Sequence, residues 1–174
     1  GTPIGNRHDI TLRALALLRS VDLVACEDSR VTGKLLSLHG IHAPLLAYHE
    51  HNAERVRPQL LARLARGERI ALVSDAGMPL VSDPGYKLVR AAIAAGLPVS
   101  VAPGPSAVLA ALVLSGLPSD RFLFAGFLPP RQAARRSALA EIAPLKASLI
   151  FFEAPSRLAA ALAEAIGIHA IFGA

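Results

Sequence analysis

The sequence is poor in the residues that build several common kinds of site. Among its 174 residues it has one cysteine, Cys26, one methionine and no tryptophan. A single cysteine excludes an internal disulfide bond and is typical of a reducing compartment, so we expect a cytoplasmic protein. Apolar runs are short and are interrupted by glycine, proline or charge, so the sequence predicts no membrane-spanning helix.

Motifs of several enzyme classes are also missing. No Gly-x-Gly-x-x-Gly follows the first predicted strand, and neither a Walker A lysine nor a Gly-x-Ser-x-Gly elbow occurs. No cluster of histidine, cysteine and carboxylate residues has zinc spacing, and His49 and His51 fit a solvated polar loop better than a metal site. We therefore predict no metal, no classical dinucleotide fold, no P-loop and no serine hydrolase.

What the sequence does contain is abundant apolar residues and an excess of basic charge. Apolar residues make up 53% of the chain and the mean hydropathy is +0.46, which predicts a packed core. Lysine and arginine outnumber aspartate and glutamate by 18 to 13, for a formal net charge of +5. This balance favours an anionic partner such as nucleic acid, although a basic protein without that role is equally open on charge alone.

Predicted strands and helices alternate along the chain, which is typical of an α/β fold with a largely parallel sheet. Asp9 is predicted to cap the first helix. Strands are expected at 21–26, 45–48, 69–74, 99–102, 122–127 and 149–152. The loops after the first four strands should share one edge of the sheet, where open α/β sheets bind their ligands.

Leu117-Pro118-Ser119-Asp120 looks like a linker between two domains. We expect an amino-terminal α/β domain at residues 1–118, which carries those loops, and a partial carboxy-terminal α/β domain at 119–174. The opening Gly1-Thr2-Pro3 looks like the interior of a longer chain, and the second domain looks truncated. Residues 1–174 alone are therefore not expected to be a self-sufficient enzyme.

Six short motifs in a fixed order carry a specific resemblance. They are TPIGN at 2–6, EDSR at 27–30, YHEHN at 48–52, SDAGMPLVSDPG at 74–85, PGPSA at 103–107 and EAPSR at 153–157. Together they resemble the ribosomal RNA small-subunit methyltransferase I family, within the tetrapyrrole methylase superfamily. The resemblance extends to about residue 162.

The resemblance implies a two-domain tetrapyrrole-methylase-like fold, a homodimer, and S-adenosylmethionine in the cleft between the domains. It implies 2′-O-methylation of a cytidine in 16S ribosomal RNA. Residues implied to bind the donor are Ile4, Ala76, Gly77, Met78, Val81, Ser106, Ala107, Phe152 and Glu153. Met78 stands where relatives usually carry threonine, so we predict only a backbone or packing role for it. Ser156 stands where they usually carry histidine.

The implied reaction needs a group that accepts the proton of a ribose hydroxyl. Glu27, Asp28, Arg30 and Glu50 are the candidate catalytic residues, with Asp28 preferred as the base if Arg30 positions it. Further candidates, for phosphate contacts, are Arg30, Arg157 and the group Arg131, Arg135 and Arg136. That group fits an ordinary solvated helix face equally well.

Two other functions stay open at this point. C-methylation of a tetrapyrrole would use the same donor loops, although the motifs at 27–30 and 48–52 belong to the branch that acts on ribosomal RNA. A non-catalytic RNA-binding module would keep the fold and would bind no methyl donor.

Overall fold

The structure is a computed structural model, which describes residues 1–165 and 170–173. The chain divides into two compact units, Gly1–Ser106 and Ala107–Ala174. The sequence suggested a boundary after Pro118. In the structure the division falls before the helix Ala107–Ser115, which therefore groups with the second unit rather than the first. The domain limits themselves stay a prediction.

The first unit is a three-stranded parallel sheet with helices on both faces. Its elements are α1 (Leu12–Ser20), β1 (Leu23–Cys26), α2 (Ser29–Leu38), β2 (Leu45–Ala47), α3 (Ala53–Ala65), β3 (Ile70–Val73) and α4 (Tyr86–Ala94). The strand order is β2-β1-β3, and both pairings are parallel.

The central strand β1 shows why this unit folds as three layers. All four of its residues are buried, which is expected when both faces of a strand are covered. Val24 and Cys26 pack in one apolar cluster with residues of α1 and α2. Leu23 and Ala25 pack in a second cluster with residues of α3 and α4. The uninterrupted apolar run of β1 therefore holds a helical layer on each side.

The start of α1 differs from the prediction. Asp9 does not cap this helix, because residues Arg7–Asp9 form a short 3-10 helix of their own. Thr11 is the cap instead, and its hydroxyl oxygen accepts a hydrogen bond from the backbone N–H of Ala14 at 3.1 Å. Both residue types suit the position, so sequence alone could not choose between them.

The strand predicted at residues 99–102 is wrong. These residues form no strand in the described part of the chain, and Val99 and Val101 are 48% and 57% exposed. An apolar β-type run becomes a strand only when a neighbour pairs with its backbone groups. Here β3 pairs with β1 alone among the described strands, so residues 99–102 have no ladder partner.

The second unit is again α/β with a parallel sheet. It contains α5 (Ala107–Ser115), β4 (Phe122–Phe127), α6 (Gln132–Ile142), β5 (Ser148–Phe152), α7 (Pro155–Glu164) and β6 (Ala170–Gly173), with strand order β4-β5-β6. Leu149 and Phe151 of β5 pack with Leu139 and Ala161 from α6 and α7. The predicted α/β class with parallel sheets is confirmed, whereas truncation of the second domain stays a prediction.

Candidate functional site

The parallel register places three loops at one edge of the first sheet. Cys26, the last residue of β1, is level with Ala47 of β2 and Val73 of β3. The loops that begin at residues 27, 48 and 74 therefore leave the sheet side by side. This confirms the predicted shared edge for three of the four loops.

The amino-terminal segment is joined by hydrogen bonds to the loop at 74–85. Thr2 and Gly77 exchange backbone hydrogen bonds of 2.8 and 3.1 Å, and the Thr2 hydroxyl donates to the Ser74 carbonyl at 3.1 Å. Thr2 is only 2% exposed, so these bonds are shielded from water. The first four residues are thereby held against the loop.

Glycines allow a third loop to approach the same place. The amino group of Gly1 donates to the Ala102 carbonyl at 3.2 Å, and a Cβ on Gly104 would lie 2.9 Å from the Gly1 Cα. Gly77 has φ of +79°, and a Cβ there would lie 3.3 Å from Cγ2 of Ile4 and 3.6 Å from the Pro105 carbonyl oxygen. Residues 1–5, 74–85 and 102–106 therefore meet around Gly77, and we call these three segments the loop cluster.

The loop at 74–85 also holds two strained residues. Leu80 and Ser82 have φ of +72° and +63°, in the left-handed region that costs a non-glycine residue about 1–2 kcal/mol. Strain of this kind is concentrated at ligand-binding loops and active sites. The loop is therefore shaped for more than a connection between β3 and α4.

The structure places the predicted donor residues in both units. In the first unit Ile4 and Ala76 are exposed, Gly77 is buried, and Met78, Val81 and Ser106 are half-buried. The Met78 sulfur would lie 2.8 Å from a Cβ on Gly1, which agrees with a packing role. In the second unit Ala107 and Phe152 are half-buried and Glu153 is 3% exposed. Their part in donor binding stays a prediction.

A pocket in the first unit adjoins the loop cluster. Its volume is about 190 Å³, and its lining includes Gly1, Met78, Leu18, Val73 and Val101. Pockets for drug-sized ligands usually measure 300–1,000 Å³, so this one is smaller than the usual range.

Asp28 is committed to a structural arrangement. It caps α2 by accepting the Arg30 backbone N–H at 2.8 Å, and the Arg30 guanidinium donates to both of its carboxylate oxygens. These hydrogen bonds lower the pKa of Asp28 to about 2. The predicted pairing of Asp28 with Arg30 is thus confirmed. A carboxylate of such low pKa is a weak proton acceptor.

The pKa of Glu27 is shifted in the opposite direction from that of Asp28. Burial raises its pKa, and the charges of Asp83 and Asp75 raise it further, while His49 opposes them. Burial also raises the pKa of Asp83, and Asp75 adds to that effect. Asp75 accepts the backbone N–H of Asp28 at 3.1 Å, which ties the loops after β1 and β3 together. The sequence did not predict Asp83 as a site residue, although the Ser-Asp pair of residues 74–75 is repeated at residues 82–83.

The other polar candidates are more scattered. Glu50 is exposed, and none of the contacts among described residues joins it to Glu27 or Asp28. Arg157 pairs with the buried Glu153 at 2.6 Å. No group of three metal-ligating side chains occurs in residues 1–165, and no helix of the described chain is long and apolar enough to cross a bilayer.

The basic group on α6 is split by burial. Arg131 and Arg136 are exposed, as phosphate contacts require. Arg135 is 5% exposed, and its guanidinium donates to both carboxylate oxygens of Glu164 at 2.8 and 3.0 Å. The prediction that Arg135 contacts a phosphate was therefore wrong, because a guanidinium buried inside the second unit cannot reach a nucleic acid.

Comparison with known proteins gives consistent results. Residues 1–170 match a family model described as tetrapyrrole (corrin/porphyrin) methylases. A protein of Mesorhizobium japonicum is 57% identical over 95% of this chain and 58% of its own length, and one of Xylella fastidiosa is 51% identical over 99% and 62%. Both carry the name ribosomal RNA small subunit methyltransferase I. The chain spans about three fifths of the length of these relatives.

The solved structures show the same fold. A cobalamin biosynthetic enzyme, cobalt precorrin-4 methyltransferase, superimposes with a TM-score of 0.59 at 20% identity, over 82% of this chain and 63% of its own. At this identity the likeness concerns the fold alone, and it agrees with the parallel α/β architecture described above.

Proposed function

The chain belongs to the tetrapyrrole methylase family, and on that premise we propose that it is an S-adenosylmethionine-dependent methyltransferase of ribosomal RNA. The proposed reaction methylates the 2′-hydroxyl of a cytidine in 16S ribosomal RNA of the small subunit. The name shared by relatives of 51% and 57% identity is the observation that supports ribosomal RNA of the small subunit as the substrate. A cytoplasmic location and a homodimer are further parts of the proposal.

The loop cluster fits a methyl donor of this kind. Exposed apolar groups at Ile4 and Ala76 offer a surface for an adenine ring or a methionine chain, and the Gly77 backbone lies between them. Nearby carboxylates supply negative charge, which favours a cationic ligand. When bound, the donor supplies a methyl group that its sulfonium has activated for in-line displacement.

Within this proposal Glu27 accepts the proton of the ribose hydroxyl. It leaves the sheet at the shared edge, one residue beyond β1, and its raised pKa makes it a stronger base than Asp28. A general base works best when its pKa lies near the working pH. Asp28 and Arg30 instead hold one another at the start of α2, with the Arg30 side chain 86% exposed and able to contact a phosphate.

Donor binding can be tested through Ile4. We expect Ile4→Lys to weaken binding of S-adenosylmethionine at least about tenfold, because it removes apolar surface and sets a positive charge beside a cationic ligand. Isothermal titration calorimetry measures the affinity. Ile4 is 36% exposed, so the variant is expected to fold normally.

Ile93→Lys is the matched control, because it makes the same change at a 62% exposed position on α4. Equal donor affinity in Ile4→Lys and in the control would remove Ile4 from the donor site. Gly77 is less suitable for this test, since its φ of +79° strains any side chain and a loss of binding would then have two causes.

The substrate is tested by transfer of a labelled methyl group from the donor, with the full-length protein as the enzyme. We expect label on small ribosomal subunits, at a ribose whose 3′ phosphodiester then resists alkaline cleavage, and none on uroporphyrinogen. Label on a tetrapyrrole carbon would favour the C-methylation that the family description also covers. RNA binding without any donor binding would instead identify a non-catalytic module.

A further inference from the structure

We infer that Asp83 is a positioning residue that sets the charge state of Glu27, the group proposed to accept the ribose proton. This inference rests on the proposed function and deepens it. Neither the sequence motifs nor the comparisons assign Asp83 a role. Its place in the fold does, because it lies on the loop after β3 while Glu27 lies on the loop after the adjacent strand β1.

The sheet and one cross-loop hydrogen bond bring together the two loops that carry Glu27 and Asp83. Cys26 and Val73 are in register, so residues 27 and 74 leave the sheet at the same level. The Asp28 backbone N–H donates to Oδ1 of Asp75 at 3.1 Å and holds the two loops side by side. Of the charged groups that act on Glu27, Asp83 has the largest effect.

The path of the loop accounts for the return of Asp83 to the sheet edge. Leu80 and Ser82 both have positive φ, and a Cβ on Gly85 would lie 2.6 Å from Cδ2 of Leu72 in β3. Asp83 is two residues before Gly85, so this contact brings it back to the carboxyl end of β3. The strained turn thus places a second acidic side chain where a simple connection would not need one.

The other charged groups around Glu27 are few and come from all three loops. Asp75 and Asp28 add negative charge, and His49 from the loop after β2 acts in the opposite direction. Arg30 is engaged by both oxygens of Asp28, so most of its charge is compensated there. Asp83 is therefore the neighbour whose removal should change Glu27 most.

The physical effect is that of two carboxylates that share a site. When both are ionised they repel, so a proton on one of them is favoured while the other stays charged. Glu27 with Asp83 beside it is then a stronger base than an isolated glutamate. The proton that leaves the ribose hydroxyl is retained on the pair while the oxygen–methyl bond forms and the sulfur–methyl bond of the donor breaks, leaving its electron pair on sulfur.

The test is a carboxyl-carbon NMR titration of Glu27 combined with the pH profile of single-turnover methyl transfer. In Asp83→Asn we expect the Glu27 midpoint, and the acid limb of the rate profile, to move to lower pH. Asp83→Glu keeps the charge and should restore both toward wild type. Asp120→Asn removes an exposed carboxylate in the second unit and should move neither.

An unmoved Glu27 midpoint in Asp83→Asn would overturn the inference, as would a midpoint that moves while the rate profile does not. A purely structural role for Asp83 predicts lower rates at every pH with the acid limb unchanged. The NMR titration needs no activity. If the full-length wild-type protein transfers no methyl group to small subunits, the proposed function fails while the titration still decides the coupling.

Discussion

Replacement of Glu27 by glutamine is expected to lower single-turnover methyl transfer to small ribosomal subunits about 100-fold or more. Glutamine is nearly isosteric with glutamate but cannot accept a proton, and general-base catalysis typically contributes 10²–10⁴-fold. Donor affinity should stay close to that of wild type, because the change affects the chemical step. Rapid quenching with labelled donor measures the rate, and calorimetry measures the affinity.

Asp28→Asn is the informative comparison, since it makes the same kind of change one residue along the chain. An asparagine can still cap α2, so we expect a smaller loss of rate than in Glu27→Gln. If Asp28→Asn is the more damaged variant and Glu27→Gln keeps its rate, Asp28 is the base despite its pKa of about 2.

The pH dependence of the wild-type rate follows from the same group. Glu27 accepts a proton only when it is ionised, and burial and neighbouring charges raise its pKa. The rate should therefore fall on acidification, with a midpoint above that of an ordinary glutamate. In Glu27→Gln this acid limb should disappear from the profile of the residual activity.

The second large effect concerns stability. We expect Arg135→Met to lower the thermal midpoint of the second unit by roughly 10 °C, because removing one partner of a buried ion pair leaves the other charge uncompensated. The side chains of Arg135 and its partner Glu164 are both 6% exposed, and Arg135 also donates a hydrogen bond to the Pro130 carbonyl at 3.2 Å. Differential scanning calorimetry or circular dichroism measures the midpoint.

Arg136→Met is the control, because the neighbouring side chain on α6 is exposed and should change the midpoint little. The double variant Arg135→Met with Glu164→Leu should recover part of the loss, since no charge is then left buried. Midpoints of Arg135→Met and Arg136→Met that agree would show that the pair contributes nothing measurable.

Acid should weaken the same ion pair in the wild-type protein. The Arg135 hydrogen bonds hold the pKa of Glu164 below its usual value of 4.5. A carboxylate whose pKa is lowered on folding stabilises the native state above its unfolded pKa, and that stability is lost as the pH falls through the folded value. When the pH is lowered below about 4.5, the thermal midpoint of the wild-type protein should therefore decrease. The decrease should be smaller in the double variant.

Much of the fold was accessible from the sequence, because it depends on local patterns. The apolar run Leu23–Cys26 predicts a buried strand, and α2 ends before Gly40, whose φ of +61° only glycine adopts readily. The β4 limits, Phe122–Phe127, agree with the prediction at both ends. The failure at 99–102 has a plain cause, since strand formation needs a partner that no local pattern supplies.

The sequence by itself determined that several glycine- and proline-rich loops follow strands at one edge of the sheet, and only the tertiary structure decided the surroundings of their side chains. Glycine, proline and repeated Ser-Asp in 74–85 predicted a candidate binding loop, because these residues allow close backbone approach and tight turns. The difference in pKa between Asp28 and Glu27 could be seen only in the folded chain. Their pKa values depend on burial and on charges that lie far away in sequence, and those act through space.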